Sequence, residues 1–192
     1  MSHALDLLKS RRSISAQFLA EPAPDDAQLA EMLTVASRVP DHGKLTPWRF
    51  ILFRGDARRH ASETLATRYI QLFPDADPKK VEEERTTLAR APLVVAVVSR
   101  AGPHVKIPEY EQLLSGAAAA MNLVHAAHAL GFAAQWLTGW MAYDEEAAKI
   151  LGLAPGERLV GMVHIGTATV PPVDRPRPPL SEIVSEWKAR EG

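Results

Sequence analysis

The stretch Gln112–Tyr143, QLLSGAAAAMNLVHAAHALGFAAQWLTGWMAY, contains no Asp, Glu, Lys or Arg. Its reading decides the fold, because an uncharged run of this length is either a membrane span or the inside of a folded domain. A span needs about 20 predominantly apolar residues in one helix. Here the helical pattern ends near Gly131 and is interrupted by Ser115, Gly116, Asn122, His125 and His128, so the apolar run falls short. The alanine-rich part, SGAAAAMNLVHAAHAL, instead predicts a helix buried nearly all round. A chain of 192 residues has little material to cover such a helix completely. A partner subunit would supply the missing cover, so a homodimer is expected.

Working outward, FAAQWLTGW predicts a buried strand and turn, residues 143–151 a short helix, and RLVGMVHIGTAT another strand. Upstream, the continuous apolar run APLVVAVVSR has the pattern of a strand buried on both faces. WRFILFRG, from Trp48 to Gly55, reads as a strand followed by a turn. Residues 57–73 and 78–90 predict two more polar helices, separated by Pro74 and Pro78. APDDAQLAEMLTVAS is an amphipathic helix, with Pro24 suited to its first position and Leu29, Met32, Leu33 and Ala36 on one face. SHALDLLKS predicts a short first helix. The tail VPPVDRPRPPLSEIVSEW is too rich in proline for a central strand. No repeat or linker divides residues 1–192, so the expectation is a single α+β domain of three layers (α/β/α), with helices flanking a central sheet.

Composition narrows the function. Hydrophobic residues make up 46% and charged residues 23%, a globular profile, and the formal net charge is −1. No global field points to nucleic acid or to an anionic membrane, so any anion must be recognised locally. The absence of cysteine removes thiolate nucleophiles, iron–sulfur clusters and Cys-containing zinc sites, and fits a reducing compartment. MSHALDLLKSRRS carries Asp6 and no long apolar run, which is not a signal peptide, so a cytoplasmic protein is expected.

Several chemistries lack their motif. Gly43-Lys44 is followed by Leu45 and has no upstream glycine of a phosphate-binding loop, and no G-x-G-x-x-G follows a strand. Ser115-Gly116 lacks the nucleophile-elbow pattern. His125 and His128 share a helical face but have no carboxylate nearby, so core or interface histidines are the simpler reading than a metal site. What remains is three cationic clusters at loop positions. Arg11 and Arg12 with the Ser13 hydroxyl form a compact group able to hold a phosphate, or simply a cationic helix end. Arg175 and Arg177 lie on a rigid Pro-Arg-Pro-Arg-Pro segment, either a second anion contact or a solvated tail. Arg38, His42 and Lys44 fall in RVPDHGKLTPWRF, which is either a basic surface loop or a seat for an anionic ligand. Trp48, at its end, reads as a core anchor.

The ordered set RRSISAQF, RVPDHGKLTPWRF, GFAAQWLTG, GTAT and the proline-rich tail resembles the FMN-dependent nitroreductase family, in particular its small members with Pro-Asp-His in the second motif. The likeness covers nearly the whole chain. It implies a nitroreductase-like fold with a mixed central sheet, an intertwined homodimer, and FMN bound at sites shared between chains. By this resemblance Arg11, Arg12 and Ser13 would contact the FMN phosphate and ribityl chain, and Arg175 and Arg177 would complete the phosphate site. Arg38 and His42 would reach the flavin from the partner chain. Trp136, Leu137 and Thr138 would lie along the isoalloxazine ring, and residues 126–131 near the nicotinamide nucleotide. Many members have Asn and Gln where this chain has Lys44 and Thr46, so Lys44 is a candidate cation at the flavin edge. The implied activity is transfer of electrons from NAD(P)H through FMN to a small-molecule electron acceptor such as a nitroaromatic, quinone or activated alkene. Alternatives are a non-catalytic flavin sensor or carrier, a flavin-dependent dehalogenase or dehydrogenase, and a phosphate-binding domain without flavin.

Overall fold

The computed structural model describes residues 3–189. The chain begins with helix α1 (His3–Ser10), then a 3-10 turn at Ala16–Phe18 and the two-residue strand β1 (Leu19–Ala20). Helix α2 (Asp26–Ala36) is set two residues later than the proline suggested. Asp25, not Pro24, opens it, accepting from the Gln28 amide while the Gln28 side chain returns to the Asp25 N–H. That reciprocal pair satisfies two donors that a helix start leaves without partners, so it sets the boundary.

Strand β2 (Trp48–Arg54) leads into α3 (Asp56–Leu72) and α4 (Pro78–Arg85). Helix α4 ends earlier than expected, residues 86–90 forming turns that carry the buried Leu88. Strand β3 (Leu93–Ser99), helix α5 (Glu109–Ala129), strand β4 (Ala133–Leu137), helix α6 (Glu145–Ile150), strand β5 (Arg158–Ala168) and the single turn α7 (Leu180–Ile183) complete the order.

The sheet runs β2-β3-β5-β4, with β1 pairing to the last residues of β5. All four pairings among the described residues are antiparallel, where the resemblance led us to expect a mixed sheet. The connections explain it. Arg54 at the end of β2 lies opposite Leu93 at the start of β3, so α3 and α4 return the chain to the edge it left.

Every residue of β3 is buried. Successive side chains point to opposite faces, and the structure divides them accordingly. Leu93, Val95 and Val97 join a core with α2 and α5, while Val94, Ala96 and Val98 join one with α3 and α6. Cover on both faces, not strand direction, is therefore what made this run continuously apolar. Each of these leucine and valine side chains, fully removed from water, stabilises the fold by about 1.5–3 kcal/mol.

Helix α5 is less enclosed than its composition suggested. One side packs on α2 and the sheet, but Leu114 is 49% exposed and Ala117, Ala118, Met121 and His125 are only half-buried. These positions recur at helical spacing and form an apolar stripe left open along the helix. Residues 171–189 are exposed throughout, including Leu180, Ile183, Val184 and Trp187. No helix among the described residues is long and apolar enough to cross a membrane.

Candidate active site

The segment after α1 is pulled against β4. Ile14 and Ala16 are buried, and the Ala16 N–H donates to Gln135 Oε1 at 2.7 Å. The carbonyl of Arg12 meets His128 Nε2, on the last turn of α5, at 3.0 Å. Those anchors leave the Arg11 guanidinium over the C-terminal part of α5, with Nε and Nη1 buried and unpartnered. Its pKa is lowered, first by burial, then by the charges of Arg12 and Arg177. A buried cation among cations, with donors unspent, is unfavourable unless an anion completes it.

Arg12 turns toward the tail. Its Nε donates to the Val173 carbonyl at 3.1 Å and stands 3.5 Å from Asp174. This contact brings the Pro-Arg-Pro-Arg-Pro segment over the N-terminal cluster. Both arginines are exposed; Arg177 is the one whose charge reaches Arg11, and the Arg175 amide donates to the Asp174 side chain. Ser13 is exposed beside them. Two residues set aside in the sequence join the same place. His125 and His128 both have pKa values lowered, first by burial, with the Arg11 charge adding to it. Among the described residues no group of three or more His, Cys, Asp or Glu side chains is placed to hold a metal ion.

Strand β4 carries the next group. The Trp136 side chain lies flat on β5. A Cβ added at Gly161 would fall 2.0 Å from its Nε1, which itself donates weakly to the Val160 carbonyl at 3.4 Å. Its indole therefore packs on β5 while remaining half-buried, as Leu137 is, and Thr138 is exposed.

The basic loop is a built structure. Asp41 accepts from the amides of Leu45 and Thr46, each at 2.9 Å. That clamp holds Lys44 and Thr46 at positive φ (57° and 48°), a region residues with a Cβ seldom occupy. Gly43 sits at φ 71°, where a Cβ would strike Ile107 Cδ1 at 2.5 Å. His42 Nδ1 pairs with Glu111 at 2.7 Å, and the Arg38 carbonyl accepts from Asn122 at 3.1 Å. The side chains of Arg38, His42 and Lys44 are exposed. Trp48 is a core anchor as expected, 8% exposed with Nε1 bonded to Ser115 Oγ at 3.0 Å.

Both clusters thus hang on α5, at opposite ends. His42 meets Glu111 and Arg12 meets His128. At the helical rise per residue those anchor points are about 25 Å apart. The fold brings Arg11, Arg12, Ser13 and Arg177 together and sets His42 at the other end of α5, while Arg38, whose carbonyl meets Asn122, lies between the two.

The sequence profile described as the Nitroreductase family matches residues 8–167. The chain belongs to the nitroreductase family. YdjA of Escherichia coli strain K12, whose name assigns it to the NAD(P)H nitroreductases, is 35% identical over 164 residues, covering 85% of this chain and 87% of YdjA. A nitroreductase-like family protein from Bacillus cereus superposes with a TM-score of 0.82 at 21% identity, over 98% of each chain. A nitroreductase from Desulfovibrio desulfuricans, solved in complex with FMN, gives 0.74 at 21% identity, over 99% of each chain. The likeness to the solved structures shows the shared fold. It extends to the ends of the chain, beyond the residues the family profile covers.

Proposed function

We propose that this nitroreductase-family chain binds FMN and catalyses NAD(P)H-dependent reduction of an electron-poor small molecule such as a nitroaromatic, quinone or activated alkene. The observation that carries the reading is Arg11, a half-buried residue whose Nε and Nη1 are buried without partners and which is flanked by Arg12 and Arg177. A phosphate dianion is the group such a cluster fits, accepting several charge-assisted hydrogen bonds at once. The FMN complex of the Desulfovibrio relative and the name of YdjA support the same assignment. FMN, when bound, supplies exchange of a hydride or of single electrons, chemistry no side chain here provides.

The chain's own residues would do the rest. Arg11 and Arg12 hold the phosphate by charge, Ser13 adds a hydroxyl, and Arg177 closes the site, with Arg175 at its solvent edge. Leu137 and Thr138 flank the ring, and Trp136 fixes the strand that presents them. Residues 126–131 lie near the nicotinamide nucleotide in this reading.

Arg38, His42 and Lys44 enter from the partner of a homodimer. A two-fold pairing of the open α5 stripes, Leu114 to His125, would set the His42 end of one helix beside the Arg11 end of the other. The exposed apolar residues of the tail, Leu180 to Trp187, would be covered in the same assembly. Lys44 at the ring edge would stabilise the reduced, anionic cofactor and raise its potential.

The test is anaerobic. The protein is reconstituted with FMN, mixed with NADH or NADPH, and followed by oxidised-flavin absorbance. Bleaching that returns on adding a nitroaromatic or quinone is the expected result. Bound flavin that neither nucleotide reduces would point to a sensor or carrier, and failure to take FMN at all would overturn the reading.

A further inference from the structure

Strand β4 ends at Leu137, and residues 138–143 carry the chain on to α6. Trp140–Ala142 form a single 3-10 turn. The Ala142 N–H donates to the Gly139 carbonyl and the Tyr143 N–H to the Trp140 carbonyl, each at 3.0 Å. Met141, 8% exposed, anchors the far part of this segment in the core shared with α3 and α6. The near part has no such anchor. Thr138 is exposed, and a Cβ added at Gly139 would meet nothing within 4 Å. A cavity of about 350 Å³ lies against Leu137–Gly139, so packing does not fix this stretch on that side.

A hydrogen bond does. Among the described residues, one side-chain hydrogen bond reaches residues 138–143 from another element, and it runs from Trp140 Nε1 to Glu84 Oε2 at 3.1 Å. The Trp140 ring meanwhile rests on Tyr69, with centroids 5.5 Å apart. Glu84 lies in the last turn of α4 and is 5% exposed. Its other oxygen meets Lys80 Nζ at 3.1 Å, and Lys80 also reaches Glu83 at 3.2 Å.

Stability of the fold does not call for this carboxylate. Withdrawing it from water is costly, and apolar replacements of buried ion pairs are often neutral or stabilising. The last turn of a helix is also where the dipole disfavours an anion. What Glu84 adds is direction: an acceptor at one fixed point, which orients the indole and with it the residues just before it.

We propose that Glu84 is a positioning residue, which by holding Trp140 fixes Leu137–Gly139 beside the flavin ring. The role rests on the flavin reading, since it needs Leu137 and Thr138 at the ring. Glu84 itself touches no cofactor.

The test compares Glu84→Gln, Glu84→Met and Trp140→Phe in the full chain. Glutamine keeps an acceptor for the indole while Lys80, which is exposed, turns to Glu83. Methionine keeps the stem and loses the acceptor. Phenylalanine keeps a ring on Tyr69 and loses the donor. In FMN-free protein, exchange of the Ala142 and Tyr143 amides should rise roughly tenfold in the Met and Phe variants and stay within about twofold in the Gln variant. FMN affinity, titrated by fluorescence, should fall about tenfold in the same two variants. The visible circular dichroism of the bound flavin should change with it, and Gln should restore both. The double variant Glu84→Met, Trp140→Phe should be no worse than either single one, because each removes the same bond. Should Glu84→Met not fold, Trp140→Phe reads that bond from its other end.

A merely structural Glu84 would lower the melting temperature and leave FMN affinity and the flavin dichroism unchanged. That result, additive losses in the double variant, or a Gln variant as impaired as the Met one would overturn the proposal. An unaltered protein that takes no FMN would refute the flavin reading and this role with it, whereas FMN bound alike by every variant would refute this role alone.

Discussion

Replacing Arg11 by Met separates a residue kept for its ligand from one kept for the fold. Methionine retains the unbranched stem and removes the guanidinium. In the FMN-free protein Nε and Nη1 are buried without partners, and the charge faces Arg12 and Arg177. A buried donor left unmet costs about 1–3 kcal/mol, so relief at the low end for two is about 2 kcal/mol. For a chain of this size, that raises the melting temperature by roughly 4–8 °C. With FMN present the sign reverses. Two charge-assisted bonds to phosphate at about 1.5–3 kcal/mol each amount to a loss of roughly 100- to 10,000-fold in affinity. The assay is a thermal melt of FMN-free protein beside a titration of FMN followed by its fluorescence. Arg12→Met is the contrast, since Arg12 already holds Val173 and Asp174, and its loss should lower both stability and affinity. An Arg11→Met protein that melts several degrees lower without FMN and binds FMN unchanged would refute the reasoning.

Asp41→Ala removes both bonds that hold Lys44 and Thr46 at positive φ. It should cost about 1–3 kcal/mol and raise hydrogen exchange at residues 43–47, an effect absent if the loop holds itself. Gly161→Ala drives a Cβ into Trp136 and the Leu137 carbonyl at 2.8 Å. Overpacking of this kind costs about 1–3 kcal/mol, read in denaturant unfolding, and should disorder the end of β4 as seen by amide exchange. Burial lowers the pKa of both His128 and His164. The unfolded chain therefore binds protons first, so stability is full above about pH 6.5 and declines below it, by at most about 1.4 kcal/mol per pH unit for each histidine. Melts from pH 8 to 5 should show that fall, with a shallower slope in His164→Phe; a flat profile would contradict it.

Much of this was legible along the chain because it depends on local pattern. The run Leu93–Ser99 declared a strand with both faces covered, since alternate side chains entering two cores leave no position for a polar residue but the last. The boundary of α2 was missed by two residues because a proline and an aspartate both suit a helix start, and only the bonds between Asp25 and Gln28 choose between them. The candidate site was readable as three cationic clusters, but not which of them share a place. Glu84 stands in the very polar PKKVEEER, where nothing marks it as buried, and His164 in an apolar strand gives no sign that one nitrogen goes unpaired.

Sequence alone determined the alternation of helices and strands, the exclusion of thiol chemistry, and the ordered motifs by which the family is recognised. These follow from side-chain periodicity and composition, which need no partner to be seen. Tertiary structure decided the rest. It ran the paired strands antiparallel, with α3 and α4 returning the chain to the end of the sheet that β2 left and α5 carrying it back across so that β4 enters antiparallel to β5. It left a stripe of α5 open where composition suggested full cover. It gathered Arg11, Arg12 and Arg177 from the two ends of the chain, and parted them from His42 by the length of one helix. Such distances are set by what packs on what, and no local stretch carries that information.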